Sequence, residues 1–133
     1  MAALASPVGH LSEQPQPLEI AKYIVYESNR IDYEDPLLAL SIALSESGLN
    51  PLARNRFSTA KGVFQFLDGT WKAAQCHNSP LNATANIQCG LRLLKDEGYY
   101  HWTASQWGKG GWYELYVKSV LAYSRLRLAA LGM

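Results

Sequence analysis

The segment spanning residues 35–51 constrains the fold of this chain more than any other part of its sequence. Asp35 can cap the start of a helix, and Pro36 suits the first helical position. Residues 37–44 are apolar on nearly every side, which is typical of a helix buried in the middle of a domain. Gly48 predicts where this helix ends, because glycine readily adopts the left-handed conformation that follows a helix.

Hydrophobic spacing predicts further helices on both sides of this one, so we expect an all-α fold. The additional long helices are predicted from Leu18 to about Asn29, from about Ala83 to Glu97, and from about Tyr113 to Leu131. Residues 52–67 are ambiguous, because their alternation fits a short strand and their aromatic content fits the entry to a helix. We expect residues 1–17, which contain three prolines, to form a loose lead-in and residues 18–133 to form one domain.

Composition excludes several classes of protein. Of the 133 residues, 48% are apolar and 17% are charged, which is ordinary for a globular domain and too apolar for a disordered chain. The formal net charge of +1, without a basic stripe interleaved with aromatics, gives no reason to expect a nucleic-acid partner. No apolar run approaches the roughly 20 residues needed to cross a bilayer.

The cysteines and histidines do not form a metal-binding pattern. Cys76 and Cys89 could form a disulfide, which in the loop-entropy account would contribute up to about 3 kcal/mol, or they could remain buried free thiols. The three histidines are scattered, and no Cys-x-x-Cys pair is present. We therefore expect neither a metal site nor a cofactor.

Glu46 is an anomaly, because an ionisable residue ends the most apolar helix of the chain. Burial disfavours the charged carboxylate and raises its pKa, and the negative end of the helix dipole acts in the same direction. A carboxyl group that keeps its proton near neutral pH can donate it to the leaving oxygen of a glycosidic bond. The alternative is an exposed glutamate at a frayed helix end.

Three segments, in this order, resemble the motifs of the soluble lytic transglycosylase (SLT) family. Residues 45–51, Ser-Glu-Ser-Gly-Leu-Asn-Pro, resemble the Glu-Ser motif that opens the family pattern. Residues 60–71 contain Gly-Val-Phe-Gln where the family has Gly-Leu-Met-Gln. Residues 86–94 are similar to the Asn-x-x-x-Gly helix. The resemblance spans roughly residues 36–125 and implies a lysozyme-like helical domain with a substrate cleft.

The resemblance also implies roles for individual residues in cleaving peptidoglycan glycan strands. Glu46 would protonate the oxygen between N-acetylmuramic acid and N-acetylglucosamine and then act as base on the C6 hydroxyl, forming a 1,6-anhydro sugar. Ser47 would hydrogen-bond near the site, Phe64 would line the cleft, and Gln65 and Asn86 would contact the sugar or orient Glu46. Each has a structural alternative: a helix-end bond for Ser47, packing for Phe64, backbone bonds for Gln65 and a helix start for Asn86.

The sequence departs from the family pattern before the last helix, where the family has Ala-Tyr-Asn-x-Gly. Residues 104–108 are the best counterpart and lack the tyrosine. The residues that could replace it are Tyr99, Tyr100, Trp107 and Tyr123. Of the six aromatic residues Trp71, Tyr99, Tyr100, Trp102, Trp107 and Trp112, most are expected in the core. Tyr100 and Trp107 are our candidates for stacking against sugar rings.

Two other functions remain open on these residues. A goose-type-like lysozyme would let water attack instead, and Asp68 or Asp96 would be the carboxylate that positions the water. Alternatively, the domain could have kept the fold without turnover and serve as a wall-binding or assembly module, since the family tyrosine is missing.

The expected setting is outside the cytoplasm, either periplasmic, secreted or wall-associated, or on a phage particle. The first ten residues show neither a basic n-region nor an adequate h-region of a signal peptide, so export would use another route or a leader already removed. We expect a monomer whose partner is the glycan strand of peptidoglycan.

Overall fold

The structure is a computed structural model that describes residues 9–102 and 122–132. Its helices are α1 (Pro17–Arg30), α2 (Pro36–Ser47), α3 (Asp68–Ala73) and α4 (Ala83–Glu97). Residues 122–130 are helical as well. No strand occurs in the described ranges, and the predicted all-α class is confirmed. None of the helices described is both long and apolar enough to span a membrane.

Local chemistry places the ends of α2 where the sequence predicts them. The Asp35 carboxylate accepts a hydrogen bond from the backbone N–H of Leu38 at 3.1 Å, and Pro36 is the first helical residue. Gly48 closes the helix with φ of 64° and donates its N–H to the carbonyl of Leu44. The signals that set the start and the end of α2 are therefore all local.

The other helices also agree with the hydrophobic spacing. Helix α1 begins one residue before the predicted start, and α4 has the predicted bounds. Asn82 caps α4 by accepting from the N–H of Ala85 at 2.9 Å, and Gly98 follows its last turn. The last helix ends before Gly132 as predicted, while its predicted start lies outside the described residues.

The core forms where α1 packs against both α2 and α4. Side chains from all three helices and from the 60–71 segment are buried in it. Its largest apolar members without measurable exposure are Ile20, Ile24, Leu49, Val63, Phe64, Ile87 and Leu91. Helix α2 contributes buried residues on almost every side. Removing its apolar surface from water stabilises the fold by about 25 cal/mol per Å².

Residues 52–67 form neither a regular strand nor a helix entry. The segment folds back on itself through isolated antiparallel bridges between Arg54 and Lys61 and between Lys61 and Phe66. Lys61 and Phe66 exchange two backbone hydrogen bonds of 3.0 and 3.1 Å. These tight turns bring the Val63–Phe64 backbone to the end of α2. The alternation of apolar and polar residues could not predict this arrangement.

The described part of the lead-in is attached to the domain. Both the N–H and the hydroxyl of Ser12 donate to the carboxylate of Glu19 on α1, at 2.7 and 2.9 Å. Leu11 packs against the core. Residues 9–16 therefore lie against the helices, and the chain joins α1 without a break in contact.

Cys76, just after α3, and Cys89, on α4, form a disulfide in the structure. The bond links the end of the short helix to the long one and closes the loop that contains Pro80. This loop also approaches the 61–64 segment. Its Pro80 carbonyl accepts a hydrogen bond from Asn86 on α4.

Replacing both Cys76 and Cys89 with serine is expected to lower the free energy of unfolding by up to about 3 kcal/mol, because the cross-link restricts the unfolded chain. Urea titration of the oxidised wild type and the double variant measures this difference. A reducing agent should destabilise the wild type and leave the variant unchanged. Equal stability of the two oxidised proteins would show that the bond contributes nothing.

Candidate active site

Glu46 lies on the last turn of α2, and the chain leaves the helix immediately after it. Gly48 and Leu49 both have positive φ, of 64° and 63°. Leu49 is completely buried, so packing holds this non-glycine residue in a conformation that costs free energy. The sharp exit fixes the direction in which the end of α2 presents Glu46 and Ser47.

The Glu46 carboxyl is largely withdrawn from water. Burial raises its pKa from 4.5 to about 7. No hydrogen bond or ion pair from the described part of the chain reaches its oxygens. A carboxyl group with this pKa is present in both forms near neutral pH and can donate a proton in one step and accept one in the next.

Ser47 connects the end of α2 to the neighbouring segment. Its hydroxyl lies 2.7 Å from the carbonyl oxygen of Val63 and 3.1 Å from that of Ala43, one turn back on its own helix. Ser47 and Val63 are 16 residues apart in the sequence. The structure thus gives Ser47 a bond beyond the helix end, next to Glu46.

Asn86 is completely buried and uses its amide on the backbone of two loops. Its Oδ1 accepts from the N–H of Phe64 at 2.8 Å, and its Nδ2 donates to the carbonyls of Pro80 at 2.8 Å and Lys61 at 3.2 Å. Its side chain has no exposed surface and holds the 61–64 backbone. The predicted role of Asn86, contact with the sugar or orientation of Glu46, stays a prediction.

Gln65 is half-buried and anchored by one end of its amide. Its Nε2 donates to the carbonyls of Gly62 at 2.9 Å and Ala53 at 3.1 Å, which are the backbone bonds that the alternative interpretation anticipated. Within the described residues, its Oε1 accepts no hydrogen bond. That oxygen is available to a ligand hydroxyl or N–H, and contact of Gln65 with substrate stays a prediction.

Two glycines allow two of the three motif segments to come close together. Gly62 has φ of 82°, and a Cβ placed on it would lie 2.2 Å from the Pro80 carbonyl oxygen and 2.3 Å from Nδ2 of Asn86. A Cβ on Gly90 would lie 2.7 Å from the ring of Phe64. The Gly-Val-Phe-Gln segment and the Asn-x-x-x-Gly helix are thus in direct contact.

One of the aromatic residues predicted for the site lies in the core. Phe64 has no exposed surface and packs edge-on against Trp102, which is its packing alternative, and a place for it in the lining of a cleft stays a prediction. Trp71 and Trp102 are core residues too, as expected for most of the aromatics. Tyr100 is 48% exposed, and its ring lies 4.1 Å from that of His101, so stacking of Tyr100 on a sugar stays a prediction.

The aromatic positions of the C-terminal part are only partly described. Trp107 and Trp112 lie outside the described residues. Tyr99 packs against the core, and Tyr123 is 52% exposed, with its hydroxyl accepting from Arg127 at 2.7 Å. Which residue takes the place of the family tyrosine stays a prediction.

The two carboxylates considered for a hydrolytic mechanism differ from Glu46 in their surroundings. Asp68 is exposed at the start of α3 and forms an ion pair of 2.6 Å with Lys61. Asp96 is exposed on α4 and lines a groove of about 660 Å³ between α1 and α4, whose described lining does not include Glu46. Neither residue contacts the end of α2 through a hydrogen bond or an ion pair.

The hydrogen bond of Trp102 was not foreseen from the sequence: its indole N–H donates to the carbonyl of Phe64 at 2.8 Å. The two residues are 38 positions apart, and no spacing rule connects them. In the ranges that the structure covers, no three His, Cys, Asp or Glu side chains cluster in a way that could hold a metal ion.

Comparison with known proteins gives one match. The family model described as transglycosylase SLT domain matches residues 24–110, which is more than half of the chain. The matched range contains Glu46, Gln65 and Asn86 together with the glycines that bring their segments into contact. No curated protein and no solved structure matches the chain.

Proposed function

Because the chain belongs to the transglycosylase SLT domain family, we propose that it is a lytic transglycosylase that cleaves the β-1,4 bond between N-acetylmuramic acid and N-acetylglucosamine in peptidoglycan. The observation that carries this proposal is Glu46, a carboxyl group with a pKa of about 7 at the end of a buried helix. Its position in the first family motif, and the lack of a partner for it among the residues that the structure describes, support the role of acid and base.

In the proposed reaction Glu46 starts protonated and donates its proton to the glycosidic oxygen as the bond breaks. The 2-acetamido group of the substrate stabilises the positive charge that develops on the sugar, which makes a second carboxylate unnecessary. Glu46, now a carboxylate, removes the proton of the C6 hydroxyl as that oxygen attacks C1. The product is a 1,6-anhydro-N-acetylmuramic acid end, and Glu46 is protonated again.

The neighbouring residues have supporting roles in this proposal. The free Oε1 of Gln65 accepts a hydrogen bond from a sugar hydroxyl or acetamido N–H. Ser47 and Asn86 hold the backbone of residues 61–64 and so keep the end of α2 in place. Tyr100 and Trp107 stay our candidates for sugar stacking, and the site of action is outside the cytoplasm, where peptidoglycan lies.

Mass analysis of peptidoglycan digests tests the reaction. The wild type should release fragments that end in 1,6-anhydro sugars and are about 18 Da lighter than hydrolysed fragments, because no water is added. Glu46→Gln protein, prepared in the same way, is the control. Reducible fragments carrying the mass of water would show a lysozyme-type hydrolase instead. If neither protein releases fragments, the domain is a wall-binding or assembly module and the proposal fails.

A further inference from the structure

The backbone of Val63 and Phe64 is held on three sides by side chains from distant parts of the chain. Ser47 donates to the Val63 carbonyl at 2.7 Å, Asn86 accepts from the Phe64 N–H at 2.8 Å, and Trp102 donates to the Phe64 carbonyl at 2.8 Å. These bonds come from α2, from α4 and from the residues after α4. Three consecutive polar backbone groups are thereby fixed relative to the helix that carries Glu46.

Trp102 is placed to act on this segment and on little else. It is 6% exposed, and its ring packs edge-on against Phe64 and Phe66 with centroid distances of 5.8 and 6.0 Å. Its one polar atom makes the bond to the Phe64 carbonyl. Without that donor, a buried carbonyl would lose its partner, and the segment would tend to move toward water.

Movement of this segment is transmitted to Glu46 through its direct neighbour. The Val63 carbonyl is bonded to Ser47, so a displaced Val63 either breaks that bond or pulls on the last turn of α2. Burial is what raises the pKa of the Glu46 carboxyl. Small changes in packing at the end of α2 therefore change its proton affinity directly.

We propose that Trp102 is a positioning residue for Glu46, acting through the Phe64 carbonyl, the Val63–Phe64 backbone and Ser47. Its consequence for turnover rests on the transglycosylase function proposed above, whereas its consequence for the protonation of Glu46 does not. Trp102 acts on Glu46 through the backbone to which its indole N–H is bonded. Its contribution is to keep the carboxyl in the partly buried environment that raises its pKa.

Trp102→Phe tests this proposal, because phenylalanine keeps an aromatic ring and removes the N–H donor. We expect the pKa of Glu46, followed by carbon-13 NMR of the labelled carboxyl, to fall by about one unit toward its ordinary value. The alkaline limb of the cleavage rate should move to lower pH by the same amount. The ratio of the rate at pH 8 to the rate at pH 5 should then be about tenfold lower in the variant than in the wild type.

Trp71→Phe is the matched control. The Trp71 indole also donates to a backbone carbonyl, that of Asn78 at 3.1 Å, and its ring also packs against Phe66. Both variants lose one donor and some aromatic surface, so their melting temperatures should fall by similar amounts. The Trp71 bond lies in the loop before α4, and the pKa of Glu46 should stay at its wild-type value in this variant.

Several outcomes would overturn the proposal. An unchanged Glu46 pKa in a folded Trp102→Phe protein, or an equal fall in both variants, would leave Trp102 a purely structural residue. If Trp102→Phe does not fold, benzothienylalanine at position 102 replaces the N–H with sulfur at nearly the same shape, and an unchanged pKa there would also refute the idea. If the wild type releases no glycan fragments, the proposed function fails, while the NMR titration still decides the role of Trp102.

Discussion

Glu46→Gln is expected to lower the rate of peptidoglycan cleavage by roughly 10²- to 10⁴-fold, the usual contribution of a positioned general acid and base. Glutamine has nearly the same shape but can neither donate a proton to the glycosidic oxygen nor accept one from the C6 hydroxyl. Release of soluble fragments from purified peptidoglycan, measured at saturating substrate, gives the rates. Binding of the glycan should be largely retained, so the loss should appear in kcat.

The same substitution should make the protein more stable at alkaline pH. Glu46 has its pKa raised from 4.5 to about 7 on folding, so the folded protein binds the proton more tightly than the unfolded chain. The wild type therefore loses stability as the pH rises from 4.5 to 7 and loses no more from this residue above pH 7. The loss is on the order of 3 kcal/mol or less, since the site is not wholly closed to water.

The stability prediction provides a control for the activity prediction. Glutamine stays neutral, so Glu46→Gln should equal the wild type below pH 4.5 and exceed it at pH 8 in chemical denaturation. An inactive variant that is also more stable at pH 8 has lost chemistry and not its fold. A Glu46→Gln variant that retains activity would refute the catalytic role of Glu46. A stability difference between variant and wild type that does not change with pH would refute the burial of the Glu46 carboxyl.

Gly62→Ala is expected to lower the free energy of unfolding by on the order of 4 kcal/mol, combining steric overlap with backbone strain. The added Cβ would lie 2.2 Å from the backbone oxygen of Pro80 and 2.3 Å from Nδ2 of Asn86. Neither can yield easily, because one is backbone and the other is tied by three hydrogen bonds. The φ of 82° at this position disfavours any residue with a Cβ.

Gly69→Ala is the matched control, because it adds the same methyl group seven positions away. Gly69 lies in α3, and a Cβ on it would meet no atom within 4 Å. Gly69→Ala should raise the free energy of unfolding by up to about 1 kcal/mol, since alanine favours helix more than glycine does. Urea midpoints of the two variants check the difference. Equal stabilities would show that the contact between the two motif segments is not as tight as the structure describes.

Local signals explain why much of the fold could be predicted. The start of α2 depends on Asp35 and Pro36, and its end depends on Gly48, all of which act on atoms within four residues of themselves. The bounds of α4 follow from one apolar face and from Gly98. Residues 52–67 were ambiguous because their turns depend on backbone bonds to one another and not on a repeating pattern.

The candidate site divides in the same way. Glu46 could be singled out because a charged residue at the end of an apolar helix is visible in the order of residues alone. The interior position of Phe64 could not be seen, because it depends on the ring of Trp102 and on the absence of a Cβ at Gly90. The contacts of Asn86 with the backbone of Phe64 and Pro80 could not be predicted either, because they join α4 to two loops that are distant in the sequence.

The amino-acid sequence by itself determined the bounds of α1, α2 and α4 to within a residue and which carboxyl group is out of place, because capping and hydrophobic periodicity act between near neighbours. Only the tertiary structure decided that Ser47, Asn86 and Trp102 meet on one short stretch of backbone. Their partners lie 16, 22 and 38 residues away along the chain. Such contacts exist only after the helices have packed, since burial of the apolar faces brings these polar groups within hydrogen-bonding distance.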